Sequence, residues 1–385
     1  MMFSIAAVCY RRFRQGRRGA LGGALAAALV LSGCEAIFGG GDRDEDHLLW
    51  KVASVSGYGG RPAAEAGRVY VFADSGLAAF DAATGRMLWH PRLRGGGNSA
   101  NIVERDGALY SAEVEVVRSY DAATGAIRWE QRPSRSADYA ESAVDDRAMY
   151  VGTREHRVIA LARGDGRVLW EVDAGPGWQH AAAVSGLSVS GDTVYASIRR
   201  DLSSNGFDAA AVIVALDRGT GRELWRYQSE GTKSNAVGAP VVAGRLLVTS
   251  SEYDNSVFAV DRFTGREVWR TLGRRGFVGP IESPHVVDGV IYIGMGDTYV
   301  YAMDLATGTV KWSTKTASSV VGIGVCGERV IVDNFDIEVI DRRSGKHLDV
   351  ALLSDQSDFA TSGVAVSGGR AFVAGTRHLY AVRCD

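Results

Sequence analysis

The side chains most able to do chemistry in this 385-residue chain are its four cysteines, Cys9, Cys34, Cys326 and Cys384. A thiol can act as nucleophile, metal ligand or half of a disulfide, and its neighbours decide which. No two of the four are adjacent, and the chain has no Cys-x-x-Cys-His, zinc-ligand spacing, phosphate loop or nucleophile elbow. Acids stand in DDR (145–147) and in RDLSSNGFD (200–208). A strand turn accounts for the first and a loop for the second, and neither has the pattern of a calcium-binding hand. The sequence marks no catalytic residue, no metal ligand and no cofactor site.

The remaining chemistry belongs to the beginning of the chain. Arg11, Arg12, Arg14, Arg17 and Arg18 precede the apolar run GALGGALAAALVLSG (19–33). That run is too short for a lasting membrane span, so residues 1–33 read as an export signal. LSGC (31–34) resembles the lipobox of bacterial lipoproteins. The resemblance implies cleavage after Gly33 and acylation of Cys34 as the first mature residue; a plain signal peptide with an incidental cysteine is the alternative. Acyl chains anchor firmly because each buried methylene contributes about 0.8 kcal/mol. Glu35, where the family's inner-membrane retention signal has aspartate, implies the outer membrane. The paired arginines leave open whether export is general or twin-arginine. Residues 34–46, whose EAIFGGGDRDED (35–46) is glycine-rich and then acidic, suit a flexible tether.

The chain holds 43 basic and 45 acidic residues; without the five leader arginines 38 remain against 45, a formal charge of −7. With no basic stripe, nucleic acid is excluded as a partner. Export also places Cys326 and Cys384 in a compartment that permits a disulfide, and the sequence leaves their pairing open.

From His47 onward one pattern dominates. A turn recurs as DAATG at 81 and 121, ARGDG at 162, DRGTG at 217, DRFTG at 261, DLATG at 304 and DRRSG at 341. The steps are 40, 41, 55, 44, 43 and 37 residues, the period of a four-stranded propeller blade. An alternating run precedes each turn; the Asp can accept backbone N–H bonds and the Gly permits a left-handed backbone. Four residues past the glycine stands a tryptophan: Trp89, Trp129, Trp170, Trp225, Trp269 and Trp312, with Asp349 in the seventh unit. A large aromatic at one fixed station covers the gap between neighbouring blades. The same residue spaced evenly around a molecule is core rather than a set of ligand platforms.

The ends complete the count. GRAFVAGTRHLYAVRCD (369–385) supplies two strands of an eighth unit, and HLLWKV (47–52), with Trp50, supplies a tryptophan strand without a turn. The fold expected is all-β, an eight-bladed β-propeller of four-stranded antiparallel blades over 47–385. The N-terminal strand completes the last blade and leaves no open sheet edge between the termini.

This repeat resembles the pyrroloquinoline-quinone (PQQ) type of propeller repeat, shared by quinoprotein dehydrogenases and the lipoproteins of the BamB family, over residues 47–385. With the lipobox, the single domain and the eight units, the resemblance implies a BamB-like, non-catalytic scaffold in outer-membrane β-barrel protein assembly. It would be lipid-anchored on the periplasmic face and act as a monomer within a complex. Its partners would be envelope proteins, including the barrel-assembly complex and unfolded outer-membrane proteins. The leucine- and arginine-bearing loop of that family is not found; the comparable stretch reads YQSEGTKSNAVGAP (227–240). The alternatives are a periplasmic PQQ-dependent dehydrogenase or PQQ-binding remnant, and an extracytoplasmic ligand-sensing propeller. The dehydrogenase reading needs stacking above and below the cofactor, a calcium held by oxygen ligands and a carboxylate base; many soluble members also carry adjacent cysteines and a haem-attachment motif, which this chain lacks, and it is shorter than those enzymes.

Function on a propeller falls to its loops, because the strands are committed to packing. The links from each outer strand to the next inner strand surround one mouth of the channel. They carry Tyr58, Asn98, Tyr139, Trp178, His180, Asn235, Phe277 and Phe359. Tyr58, Tyr139, Trp178, Phe277 and Phe359 are the candidate partner-binding residues, since exposed aromatics favour protein contact. Packing of each against its own loop is the bland alternative. RRDLSSNGFDAA (199–210) accounts for the 55-residue step as an extra hairpin tip or loop.

Overall fold

The structure is a computed structural model, and it describes residues 47–53, 58–73, 76–91, 101–113, 116–133, 139–178, 182–203, 209–229, 236–251, 255–273, 283–334, 336–351 and 360–385. These form 32 strands in eight four-stranded antiparallel sheets. The innermost strands are β2 (Tyr58–Glu65), β6 (Asn101–Arg105), β10 (Tyr139–Val144), β14 (Ala182–Ser190), β18 (Ala236–Ala243), β22 (His285–Val287), β26 (Gly322–Cys326) and β30 (Ala360–Ser367). Each packs against its two neighbours, including β30 against β2, so the blades close a ring. Numbered from the blade begun by β2, the eighth blade has the order β1–β32–β31–β30, where β1 is Leu48–Ala53, β31 is Arg370–Gly375 and β32 is His378–Arg383. Lys51 pairs with Tyr380 and Val52 with Leu379, so the start of the chain supplies the outer strand that its end lacks.

Middle strands are buried and largely apolar, because blades cover both faces of each sheet, with buried polar exceptions such as Arg118 and Glu338. In β16 (Ala209–Asp217) every residue but the last is buried. Outer strands such as β21 (Glu267–Leu272) are only half-buried.

The recurrent turn explains its own residues. At the first, the Asp81 Oδ1 accepts from the Ala83 N–H at 3.1 Å, the Thr84 N–H at 2.9 Å and the Thr84 hydroxyl at 2.7 Å. The Gly85 N–H then closes onto the Asp81 carbonyl at 2.9 Å. These bonds hold the Asp81 carboxyl below its usual range, the Thr84 hydroxyl being the largest cause. Where the third blade has Ala162 instead, the backbone closure from Gly166 survives at 2.8 Å. Asp165 there accepts from the Arg167 N–H at 3.1 Å.

Each tryptophan links two blades. The Trp89 indole N–H donates to the Ala122 carbonyl of the next blade at 3.2 Å, and its ring lies on Gly125. Gly125 has φ +74°, and a Cβ built there would come within 2.7 Å of the ring, so only glycine satisfies both turn and stack. The same indole-to-carbonyl bond runs from Trp50, Trp129, Trp170, Trp225, Trp269 and Trp312 to Ala82, Arg163, Arg218, Arg262, Leu305 and Arg342. On five blades a tyrosine of the second strand leans on the tryptophan of its own sheet, as Tyr70 does on Trp89 with ring centroids 6.0 Å apart. Phe372 does so for Trp50 at 5.9 Å.

Seven of the eight junctions therefore carry an indole. The junction between blades 7 and 8 does not: Asp349, paired with Val339, holds the tryptophan station in β29 (His347–Ala351). A disulfide between Cys326 of blade 7 and Cys384 of blade 8 crosses that junction, with Cα atoms 5.3 Å apart.

Candidate functional site

The hairpins β2–β3 (β3 is Arg68–Ala73) and their equivalents, together with the recurrent turns, occupy one face of the ring, the turn face. The other face, the mouth, carries the links between blades and the middle-strand hairpins. Of the residues singled out in the sequence, Cys34, Asn98, His180, Asn235, Phe277 and Phe359 lie outside the described residues. Tyr58 and Tyr139 are the first residues of β2 and β10, at their mouth ends.

Trp178 is described and half-buried. Its ring covers Gly175, where a Cβ would lie 2.3 Å away, and meets the edge of His156 at 5.7 Å between centroids. The Arg200 and Arg226 guanidinium groups sit 4.9 and 5.4 Å from the ring centre. His156 is held by the Asp173 carboxylate at 2.7 Å, which also accepts from the Gly175 N–H at 2.8 Å. Cation–π contact of this kind is worth about 0.5–2 kcal/mol. Trp178 thus joins blade 3 to blade 4, whose strands β15 (Thr193–Asp201) and β16 extend to nine residues each. The long 162-to-217 step is this lengthened hairpin, paired as far as Asp201 and Ala209.

The link between blades 6 and 7, residues 316–321, shows how a mouth segment is pinned. The buried Glu338 carboxylate accepts from the Ala317 N–H at 2.9 Å and the Asn334 side-chain amide at 2.5 Å. Buried Asp333 accepts from the Gly363 N–H of blade 8 at 3.0 Å. In blade 2, buried Glu113 accepts from the Ser111 and Tyr120 hydroxyls at 2.8 and 2.7 Å and pairs with buried Arg118. Burial first, and the charge of Glu113 second, push the Tyr120 phenol up. These buried acids fasten local structure, and a buried charge that lost its partner would be costly.

Sequence reasoning missed the residue that crosses the channel. β2 carries an irregularity between Gly59 and Ala63, and Arg61 within it reaches inward. One of its nitrogens lies 3.1 Å from the Val364 carbonyl of blade 8 and 3.5 Å from Nε2 of His285 in blade 6. Burial, then the charge of Arg61, lowers the His285 pKa to about 3, so the imidazole is neutral and accepts through Nε2. The signal was the Gly-Arg-Pro at 60–62, a cation set in a strand bulge.

A flat redox cofactor in such a channel needs an open stacking slot and hard ligands for its metal. Arg61 instead bridges blades 1, 6 and 8 across the space. Among the described residues no three His, Cys, Asp or Glu side chains converge as a metal ion would require. The described site residues do not fit that group.

The arrangement defines a closed eight-bladed propeller with the PQQ-type repeat. The family described as outer membrane protein assembly factor BamB matches residues 40–203 and 209–356, and the chain belongs to that family. BamB from Moraxella catarrhalis is similar in structure, with 15% identity, a TM-score of 0.66, and 87% of this chain and 99% of that one covered. The computationally designed Ika8 protein superposes at a TM-score of 0.70 and 16% identity over 88% of this chain and 99% of that one. The quinohemoprotein alcohol dehydrogenase ADHIIG from Pseudomonas putida HK5 does so at 0.66 and 12%, over 88% and 76%. At these identities the likenesses show the fold. No curated protein matches the chain.

Proposed function

We propose that this protein is a non-catalytic scaffold of the cell envelope, held at the outer membrane through an acylated Cys34, that positions other proteins during assembly of outer-membrane β-barrels. The observation that carries the reading is the family match across nearly the whole propeller. Partner contact falls on the mouth, at Tyr58, Tyr139 and Trp178 and at Phe277 and Phe359, which fall in the sequence between an outer and an inner strand. A partner strand extending a client there would add main-chain hydrogen bonds. The partners are the barrel-assembly complex and unfolded barrel proteins.

The test is site-specific photocrosslinking in intact envelopes from Tyr139 and Phe277, with a residue on the turn face as control. Recovery of a barrel-assembly component from the mouth positions alone is expected. Crosslinks that never contain one would overturn the role. Purified protein mixed with PQQ and calcium should show no shifted absorption band and no dye reduction; either signal would overturn the non-catalytic reading.

A further inference from the structure

One recurrent turn differs from the rest at its third residue. The other turns carry Ala83, Ala123, Gly164, Gly219, Ala306 and Arg343 there, and blade 5 carries Phe263, which is 60% exposed. A ring so exposed adds little to the packing of its own blade. It is flanked by cations instead: the Arg262 and Arg245 guanidinium groups lie 4.8 and 5.8 Å from its centre. Arg262 stands where Arg163, Arg218 and Arg342 pair with an acid of the preceding blade, but it meets the Ser190 hydroxyl, at 3.1 Å. The acids on this part of the turn face are already engaged. Glu223 pairs with Arg226 at 2.6 Å, Glu267 with Arg270 at 3.0 Å, Asp261 with Arg245, and Asp192 with Arg218 at 3.6 Å. Asp217, the one acid there outside an ion pair, caps its own turn through the Thr220 hydroxyl at 2.7 Å. Among the described residues Arg222, Arg262 and Arg266 make no ion pair, so the turns of blades 4 and 5 present net positive charge around a bare phenyl ring.

We propose that this part of the turn face rests on an anionic lipid surface, with Phe263 set into the interface and Arg222, Arg262 and Arg266 on headgroup phosphates. An apolar ring among cations suits the boundary between headgroups and acyl chains, where the ring leaves water while the guanidinium groups stay at the phosphates. Chain connectivity favours a membrane over an acidic protein. The chain enters the propeller on the turn face: β1 begins there, and the Arg329 guanidinium donates to the His47 Nδ1 at 2.6 Å. His47 is 13 residues past Cys34. A flexible chain of that length averages about 20 Å from end to end. A lipid on Cys34 would thus keep this face near the bilayer and leave the mouth open to partners. This rests on the acylation of Cys34 proposed above.

The test uses the full acylated chain with photoreactive benzoylphenylalanine in place of Phe263 or, on the mouth, of Tyr139. Each protein is reconstituted on vesicles of phosphatidylethanolamine with phosphatidylglycerol and irradiated. Lipid adducts on the peptide that carries residue 263, read by mass spectrometry, should dominate over those at residue 139. Arg222→Gln with Arg266→Gln should cut the adduct at 263 about tenfold, and so should leaving out phosphatidylglycerol, which changes the vesicle and not the fold. No adduct at 263, or equal adducts at the two positions, would overturn the proposal. In intact envelopes a crosslink from 263 to protein in place of lipid would overturn it as well and assign the patch to an acidic partner. The mass of the mature N-terminal peptide reads the anchor separately. An unacylated Cys34 overturns anchor and proposal together, whereas an acylated chain without lipid adducts overturns the proposal alone.

Discussion

The junction between blades 5 and 6 and that between blades 7 and 8 solve one problem by different chemistry. At the first, Trp269 stacks on Gly308, where a Cβ would lie 2.5 Å from the ring, and donates to the Leu305 carbonyl at 3.1 Å. At the second, Asp349 stands at the tryptophan station, the described residues of blade 8 carry no turn glycine, and Cys326–Cys384 takes over. Neighbouring junctions on this face also carry ion pairs from the second turn residue to the preceding blade: Arg163 to Asp106 at 2.8 Å, Arg218 to Asp146 at 3.0 Å and Arg342 to Asp288 at 3.1 Å. Cys384 occupies that residue's place, its N–H bonded to the Gly369 carbonyl as the Ala82 N–H is to Gly67. The disulfide is thus a covalent form of a link that other blades make by charge. Ring closure by the termini concentrates the loss of repeat contacts at one junction, and one bond compensates.

The largest effect that would break this comparison is removal of the disulfide. It closes a 58-residue separation, for which chain entropy gives about 4 kcal/mol. Cys326→Ser with Cys384→Ser should lower stability by about that amount in urea unfolding. Hydrogen exchange should rise first in β1, β31 and β32. A loss under about 1 kcal/mol would mean that other contacts hold the junction.

Trp269→Ala should cost about 3 kcal/mol, the range for large aromatics cut to alanine. It should add to the cysteine double variant within about 0.5 kcal/mol, because the sites share no partner. Coupling larger than this would show that strain passes around the ring.

Asp349→Trp sharpens the comparison. The described residues of blade 8 offer the new indole no turn glycine to stack on, and the change should fall within about 0.5 kcal/mol. A gain above about 1 kcal/mol, in the oxidised or the reduced protein, would show that the ring alone suffices.

The smallest effect concerns acid. The turn carboxyls are held below the ordinary aspartate value of 3.8, Asp121 at about 2 chiefly through Arg128. A depressed carboxyl stabilises the fold above its unfolded pKa and loses that contribution as pH falls through its folded one. Thermal stability should therefore decline between about pH 4 and pH 2. Asp121→Asn should flatten part of the decline; an unchanged profile would remove the turn from the explanation.

Much of the fold was legible because each blade repeats one local solution: the spacing from DAATG to Trp89 and Trp129 reports turn and outer strand together. Closure was legible from the complementary fragments at the two ends. The tyrosine station, with Tyr70, Tyr110, Tyr150, Tyr195 and Tyr292 beneath the indoles, was equally periodic yet went unread, since a buried strand tyrosine resembles any core residue. Arg61 was missed, because a one-dimensional pattern does not show which blades face each other across the channel.

By itself the sequence determined the blade: a carboxylate that caps a turn, a glycine that permits it and an indole at a set distance are short-range requirements. Only the tertiary structure decided what meets across the ring. Cys326 reaches Cys384 and Arg61 reaches Val364 because closing a circle brings distant segments together at separations that local geometry does not encode.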